Sequence, residues 1–243
     1  MPADRTTPAP ASLRERRRSA AVQEIVDAAE EHISRHGPAA LSLRAVARGL
    51  GMTVQALYHY FPNRDALVTA LIAKAYGDLS DVLQDAAGTV VEDSSTSRLE
   101  VVAEAYRGWG IAHPERFQLL YGTPLRHYAA PVEGPTTQAV RRMGAVFQRE
   151  LFDGFTPAQL AAADVPALSP PLREHLRQLP SNAQGDLPPA AVSLFLSAWG
   201  HVHGLVVLEV FGHTSFIGDH QAETFRTSVR MMIEDIHRRI PAA

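Results

Sequence analysis

Three helix-start signals follow one another between residues 42 and 63, and they constrain the fold of this chain more than any other feature. Ser42, Thr53 and Asn63 each precede a helical pattern, and each side chain can accept a hydrogen bond from the free N–H groups of a first helical turn. Gly51 ends the first of these helices. Because helices this short are not stable alone in water, the segment predicts a compact unit of packed helices.

A longer helical pattern precedes this segment. An apolar stripe with helical spacing begins near Arg17 and ends at Gly37 and Pro38, which stop a helix. The stripe consists of Val22, Ile25, Val26, Ala29 and Ile33. We expect a disordered tail over residues 1–13, a three-helix domain over 14–62, a linking helix over 63–83 and a larger helical domain over 84–243.

The remainder of the chain carries helical patterns and no convincing strand pattern, so the predicted fold class is all-α. A helix is expected from about Arg98 to Ala112, another begins at Pro114, and an amphipathic helix covers residues 136–152. The proline-rich residues 156–189 predict a long loop with two short helices. Two strong helices follow, the first apolar nearly all round and the second with a single apolar stripe.

Composition limits the function classes. The formal net charge is −3, but residues 1–80 carry ten Lys and Arg against eight Asp and Glu, whereas the remainder carries thirteen against eighteen. A polyanion should therefore prefer the N-terminal part. The absence of cysteine excludes disulfides, thiolate metal sites and a cysteine nucleophile. We find no signal peptide and no apolar run that approaches a membrane span, so we expect a cytoplasmic location and no membrane partner.

Two short helices joined at Gly51 are typical of a helix-turn-helix, whose second helix enters the major groove of DNA. On the second helix, one arc is expected to bury against its neighbours: Val54, Leu57, Tyr58 and Phe61. The opposite arc is expected to face outward: Gln55, Ala56, His59 and Tyr60. Within the buried arc, Tyr58 is interpreted as a core residue whose hydroxyl reaches the surface. The same geometry also occurs as plain packing in helical bundles.

The outward side chains have a chemistry that suits DNA. Gln55 can make a bidentate contact with an adenine edge, and Ala56 permits close approach to a thymine methyl group. His59, Tyr60 and the Thr53 hydroxyl can donate to phosphates. The predicted DNA contacts are Ser42, Arg44, Thr53, Val54, Gln55, Ala56, Tyr58, His59, Tyr60 and Arg64. A further arginine cluster can reach a flanking phosphate or the minor groove, although such a cluster is more often a disordered solubility tail: Arg14, Arg16, Arg17 and Arg18.

The stretch LSLRAVARGLGMTVQALYHYFPNRDALVTALI resembles the DNA-binding signature of the TetR (AcrR) family of transcriptional regulators. The shared features are a Ser/Thr-x-Arg helix start, a Val-Ala pair, a glycine, a Leu-Tyr-x-Tyr-Phe run and a capped helix with Ala-Leu. The resemblance covers roughly residues 17–75 and departs at Arg64, where the family commonly has lysine. It implies a three-helix DNA-binding domain, a linking helix, a larger helical ligand domain and a homodimer. Such a protein is most often a repressor released by a small molecule.

The C-terminal part carries a second resemblance. Trp199, His203 and Gly204 fit the pattern of a C-terminal domain subtype of this family that is named for Trp-His-Gly. Aromatic residues in the middle helices also offer walls and a few polar groups for a hydrophobic or aromatic effector. The predicted ligand residues are Tyr106, Trp109, Phe117, Tyr121, Phe147, Trp199 and His203. For any one of them, an ordinary core position is the alternative.

The last two helices are the predicted dimerisation element. An all-round apolar helix beside a one-striped helix leaves apolar area that a second subunit can cover as a four-helix bundle. A homodimer would place two recognition helices about 34–36 Å apart, the spacing of successive major-groove faces in a palindromic operator. The alternative is that both helices belong to the core of one subunit.

Two other function classes remain open from the sequence, an enzyme and a helical protein-interaction module. The chain contains no GxSxG, GxGxxG, GxxxxGK or HExxH motif, so no catalytic residue and no cofactor is predicted. His32 and His36 share a helix face, but they fit a solvated pair at a helix end better than a metal site.

Overall fold

The structure is a computed structural model that describes residues 12–90, 97–122, 128, 133–179 and 187–242. The chain divides into two units. The N-terminal unit comprises residues up to Leu71 together with Thr123–Ala129, and the C-terminal unit comprises Ile72–Gly122 and Ala130–Ala243. Every regular element within the described ranges is a helix, which confirms the all-α prediction.

The N-terminal unit is built from one long helix, two short helices and the first residues of another long helix. These elements are α1 (Leu13–His36), a 3-10 helix (Pro38–Ala40), α2 (Leu43–Gly49), α3 (Val54–Tyr58) and the beginning of α4 (Arg64–Gly88). Helix α1 packs on α2, and α2 packs on α3. Every member of the predicted α1 stripe from Ile25 onward is buried, whereas Val22 is half-buried.

The three predicted helix starts are confirmed. The side chains of Ser42, Thr53 and Asn63 accept hydrogen bonds from backbone N–H groups three residues later, at 3.2, 3.1 and 2.8 Å respectively. Gly51 lies between α2 and α3 with a φ of 64°, in the left-handed region that favours glycine. Local chemistry therefore fixes where each short helix begins and how the chain turns between α2 and α3.

Two helices are longer than the sequence analysis predicted. Helix α1 begins at Leu13 rather than near Arg17, because Ser12 and Glu15 form a capping box in which each side chain accepts from the other residue's backbone N–H. Residues 1–11 of the predicted tail lie outside the described residues. Helix α4 continues to Gly88 instead of ending at residue 83.

The described part of the C-terminal unit contains the remainder of α4 and the helices that follow. These are α5 (Arg98–Ala112), α6 (Pro114–Tyr121), α7 (Pro135–Leu151), α8 (Pro157–Ala161), α9 (Pro170–Arg177), α10 (Pro189–Val210), a 3-10 helix (Ser215–His220) and α11 (Gln221–Arg238). Helix α5 has the predicted bounds, and α8 and α9 are the two short helices expected in the proline-rich loop.

Helix α10 lies at the centre of the C-terminal unit. It contacts α5, α7, α8, α9 and α11, as an all-round apolar helix must. With a mean hydropathy of 1.6 in its most apolar window, it is long and apolar enough by composition to cross a membrane, although the sequence analysis found no such run. Its contacts are those of a core helix. The predicted stripe along α11 is confirmed as buried: Phe225, Val229, Met232, Ile233, Ile236 and Ile240.

One ion pair joins α5 to α10 beside α11. Arg107 on α5 donates from Nε to Glu209 Oε2 on α10 at 2.7 Å, and its guanidinium carbon lies 5.7 Å from the ring centroid of Phe225 on α11. The hydrogen bonds to Glu209 raise the pKa of Arg107. Arg107 also pairs with Glu104 at 3.5 Å, so the loss of Arg107 would leave Glu209 without this partner, whereas the loss of Glu209 would leave Arg107 one carboxylate.

Candidate functional site

Two apolar side chains anchor the second short helix. Leu57 and Phe61 are buried on the side of α3 that packs on α2. The N–H groups of Tyr60 and Phe61 donate to the carbonyl of Leu57 at 2.9 and 3.0 Å, so the turn continues past the end of α3. Leu57 and Phe61 therefore fix one side of this segment in the core of the N-terminal unit.

The opposite side of α3 is open to solvent. Gln55 and His59 are exposed, as is the capping residue Thr53. Ala56 and Tyr60 are half-buried, and Val54 at the helix start is also half-buried. Hydrogen-bonding groups thus project from a helix whose position is fixed by its buried side.

Tyr58 departs from the prediction. The sequence analysis placed it in the buried arc with Leu57, but its side chain is 44% exposed. Burial is centred between Leu57 and Phe61, and with 3.6 residues per turn Tyr58 lies roughly 80° from that direction. The phenol therefore belongs to the open surface and not to the core.

Arg18 connects α1 to the end of α3. Its guanidinium lies over the ring of Tyr60, 5.6 Å from the centroid, and donates to the carbonyl of His59 at 3.4 Å. A cation above an aromatic ring is attracted electrostatically to the face of that ring. The sequence analysis assigned Arg18 only to the arginine cluster, because no local pattern links residues that lie 41 positions apart.

Arg64 has a structural contact in addition to its predicted one. Its Nε donates to the carbonyl of Leu41 at 3.0 Å, and the side chain is half-buried. A guanidinium has five donors, so one bond to a carbonyl still leaves donors for a phosphate. Arg64 thereby ties the start of α4 to the residue before α2.

The other cations of the N-terminal unit are exposed. Arg44 on α2 faces solvent, and the cluster at the start of α1 does so as well. Within the described ranges, neither Arg44 nor its neighbour Arg48 on α2 forms an ion pair. The two arginines are four residues apart and share a helix face, so they form a compact positive surface.

The two helix-end histidines of α1 bind backbone carbonyls. Their rings stack with centroids 4.5 Å apart. His36 Nδ1 lies 3.1 Å from the carbonyl of His32, and His32 Nε2 lies 3.2 Å from the carbonyl of Ala40. In the part of the chain that the structure describes, no three metal-ligating side chains are grouped to hold an ion.

Six of the seven predicted ligand residues form one aromatic cluster around Tyr106. Ring centroids of its neighbours lie between 5.4 and 6.4 Å from that of Tyr106. The neighbours are Phe117, Tyr121, Phe147, Trp199 and His203. The Tyr106 hydroxyl lies 2.7 Å from His203 Nδ1, and the His203 ring stacks on Trp199. The sequence analysis therefore selected side chains that the fold brings together.

Trp109 is the exception, and other residues join the cluster. Trp109 is buried but lies beside His113 and beneath the guanidinium of Arg116. The cluster also includes Tyr76 of α4, whose ring is edge-on to Tyr121, and Phe211, whose ring contacts Phe117. Sequence reasoning missed both, since each lies outside the middle helices in which the pocket was sought.

Burial keeps this cluster neutral. Removal from water raises the pKa values of Tyr76, Tyr106 and Tyr121 above the usual tyrosine value. The same cause lowers the pKa of His203. At neutral pH the phenols are thus protonated and the imidazole is uncharged, a hydrogen-bonding surface without formal charge.

The aromatic cluster is only partly shielded from solvent: Tyr106, Phe117 and Phe147 are buried, whereas Tyr121, Trp199 and His203 are half-buried. The cavity beside it has a volume of about 10 Å³ and is lined by Phe147 and Trp199 among the predicted ligand residues. That space holds about one water molecule. Ligand pockets are typically at least about 300 Å³, so this cavity can hold an effector only if the side chains that line it move.

One side of α10 and α11 carries exposed apolar residues. Leu196 is 51% exposed and Met231 is 65% exposed. A Cβ added at Gly200 or Gly204 would meet no other atom within 4 Å, so the backbone of α10 is accessible there. His201 on α10 and Ser228 on α11 are joined by a 3.0 Å hydrogen bond.

Two family models match the sequence. Residues 25–71 match the model described as bacterial regulatory proteins, tetR family, and residues 99–232 match the tetracyclin repressor-like C-terminal domain. The second match covers more than half of the chain. The chain belongs to the TetR family of transcriptional regulators. Trp199 and His203, which carried the second resemblance, lie within the matched C-terminal domain.

Individual proteins support the same assignment. This TetR-family regulator is 37% identical over 190 residues to HTH-type transcriptional regulators of Mycobacterium tuberculosis and Mycobacterium bovis, across 77% of this chain and 80% of theirs. The crystal structure of the regulatory protein SCO4313 matches with a TM-score of 0.71 and 32% identity, over 92% of this chain and 100% of that one. RolR, solved with resorcinol, shares the fold at a TM-score of 0.52 and 13% identity, over 93% and 98% of the two chains.

Family membership decides between the function classes. The matched family and these relatives are transcriptional regulators and not enzymes, so the enzyme alternative is set aside. This TetR-family regulator is a DNA-binding protein of the helix-turn-helix type.

Proposed function

We propose that this regulator is a homodimer that represses transcription from a palindromic operator and is released by a small hydrophobic or aromatic ligand. The observation that carries the DNA-reading part is the two-sided character of α3. Gln55 and His59 face solvent, while Leu57 and Phe61 hold the helix on α2. A reading surface needs this combination of exposed donors and acceptors on a fixed element.

The contacts divide into base readout and phosphate binding. Gln55 reads an adenine edge, and Ala56 and Val54 approach the thymine methyl group and the groove floor. Phosphate contacts come from side chains around α3: Ser42, Arg44, Thr53, Tyr58, His59, Tyr60 and Arg64. The exposure of Tyr58 makes its hydroxyl more accessible than a core position would allow.

Loss of Gln55 tests the readout. The operator is first selected from random DNA with the wild-type chain, and affinity is then measured at one fixed salt concentration. Gln55→Ala should weaken operator binding by about 1–3 kcal/mol and relax the preference at one base pair. Gln138→Ala on the exposed side of α7 is the matched control and should bind as wild type. An unchanged base preference in the Gln55 variant would refute the assignment.

The proposed dimer uses the exposed side of α10 and α11. Leu196 and Met231 supply apolar area, and Gly200 and Gly204 let a second backbone approach closely. Leu196→Asp combined with Met231→Asp should halve the molar mass measured by light scattering without loss of helical circular dichroism. Leu172→Asp, an exposed apolar position on α9, is the control and should leave the mass at that of two chains.

The proposed effector enters the aromatic cluster and displaces its packed side chains. RolR shares the fold and binds resorcinol, which supports an aromatic ligand here. Release from DNA requires the effector to bind two arrangements of the regulator, one competent for operator binding and one not, with different affinities. Helix α4 contributes residues to both units, so a reorientation of α4 is the proposed route. Phenols are first screened for those that raise the melting temperature of the regulator. A saturating concentration of such a phenol is then added to the operator complex. An unchanged operator affinity would contradict this mechanism.

The proposed location follows from the proposed target. A repressor reaches its operator only in the compartment that holds the chromosome. We therefore place this regulator in the cytoplasm.

A further inference from the structure

A second cavity in the C-terminal unit shares no lining residue with the aromatic cluster. Its volume is about 370 Å³, within the range of small-molecule pockets. Three segments line it: residues 161–168 after α8, helix α9, and residues 188–190 at the start of α10. This cavity is therefore large enough for a ligand without rearrangement of the core.

The described walls are mostly apolar and partly open to solvent. Apart from two arginines, every lining side chain is alanine, proline, valine or leucine. Alanine and proline lose no side-chain freedom when a ligand covers them. The lining contains no aromatic ring, so the space favours an aliphatic group.

One wall is attached to the residues that follow α11. The backbone N–H of Asp164 donates to the carbonyl of Arg239 at 2.7 Å, and the side chain of Gln159 donates to the carbonyl of Pro241 at 2.9 Å. Leu160 and Ala163 are buried beneath this segment. The wall therefore keeps its shape independently of a ligand.

The opposite wall supplies positive charge. Arg173 and Arg177 lie four residues apart on α9, so both guanidinium groups project from one helix face. Arg173 donates to the carbonyl of Leu168 at 3.4 Å, and Arg177 pairs with the exposed Glu174 at 2.6 Å. No carboxylate is among the described lining residues, so an entering anion meets Arg173, which has no ion pair among the described residues, and Arg177, which Glu174 partly neutralises.

We infer that this cavity binds an organic monoanion, a carboxylate joined to a compact aliphatic body. The carboxylate pairs with Arg173 and Arg177, since a guanidinium matches a carboxylate with two parallel hydrogen bonds. The aliphatic body lies against the alanine and proline wall. This site does not depend on DNA binding and is distinct from the proposed effector site in the aromatic cluster.

Calorimetric titration of the full chain with octanoate, in the absence of DNA, tests the inference. One octanoate per chain should bind saturably, and octanol, which has the same chain without the charge, should bind at least about tenfold more weakly. Each CH₂ removed from the acid should weaken binding about fourfold. A failure of octanoate to saturate, or equal binding of octanol, overturns the proposal.

Matched variants locate the binding. Arg173→Gln should lower octanoate affinity at least about tenfold, whereas Arg238→Gln, an exposed arginine outside the cavity, should not. Ala167→Phe fills the space and should abolish binding while both cavity arginines remain. Circular dichroism checks that each variant folds, which is expected because α9 has no buried residue. If Arg173→Gln binds octanoate as wild type does, the ligand lies elsewhere and the site is refuted.

Discussion

The two units place the same kinds of side chain in opposite surroundings. In the N-terminal unit Tyr58 and His59 are exposed at the end of a helix of five residues. In the C-terminal unit Tyr106 is fully buried and its hydroxyl is hydrogen-bonded to the half-buried His203 within the aromatic cluster. Phenol and imidazole groups thus lie on an exposed surface in one unit and in a neutral, largely buried cluster in the other. The difference shows that the role of these residues is set by how many helices cover them, and not by residue type.

Replacement of a tyrosine in each unit gives the largest expected contrast. Tyr106→Ala removes a fully buried ring and should lower the free energy of unfolding by about 3–5 kcal/mol. Tyr58→Ala removes an exposed ring and should change it by no more than about 0.5 kcal/mol. Urea denaturation followed by circular dichroism measures both. Similar losses for the two variants would break the comparison.

Removal of the α3 cap tests how far local chemistry holds the reading helix. Thr53→Ala should destabilise the helix start by about 1 kcal/mol, because the N–H of Ala56 loses its acceptor. Hydrogen exchange of the α3 amides, followed by mass spectrometry, should become about fivefold faster. Thr53→Ser keeps an acceptor oxygen and should exchange as wild type. Equal exchange in the alanine variant would mean that packing alone fixes the helix.

Acidification should distinguish the half-buried His203 from the exposed histidines. Burial lowers the pKa of His203, so the unfolded chain, with a histidine pKa near about 6.5, takes up this proton at higher pH than the folded chain. The stability that this group contributes is complete above that pH and is lost as pH falls through the lowered pKa.

Melting temperatures between pH 7.5 and 5 should therefore fall less steeply in His203→Gln than in wild type. His213→Gln removes an exposed histidine of the same unit and should retain the wild-type slope. A wild-type slope in the His203 variant would show that its titration is not linked to folding.

The smallest expected effect concerns the contact between Arg18 and Tyr60. A double-mutant cycle of Arg18→Ala and Tyr60→Ala on operator affinity should give a coupling energy of about 0.5–1 kcal/mol, the value of an exposed cation–aromatic contact. If Arg18 and Tyr60 contact phosphates independently, the two losses of operator-binding free energy should instead be additive. If the effects of the two substitutions on operator affinity are additive, Arg18 acts only as a further cation and does not position Tyr60.

The sequence allowed much of the N-terminal unit to be predicted, because its decisive signals are local. Ser42, Thr53 and Asn63 cap helices through groups three residues away, and Gly51 marks its own turn. The capping box of Ser12 was also readable and was missed.

Tertiary packing decided the features that sequence reasoning got wrong or could not reach. The exposure of Tyr58 depends on which neighbouring residues cover its ring. Trp109 lies beneath the guanidinium of Arg116 and not in the aromatic cluster. The Tyr106–His203 bond joins residues 97 positions apart, and no spacing rule predicts it. The cavity beside α9 depends on the empty space between three segments, which a linear pattern does not encode.

Both tryptophans of the chain lie in the C-terminal unit. Trp199 is stacked on His203 with 5.2 Å between ring centroids and 11° between ring planes. An indole in such contact changes its emission when the neighbouring imidazole gains a proton. The regulator therefore carries an intrinsic optical probe of its own core, which needs no label and gives no signal from the helices that read DNA.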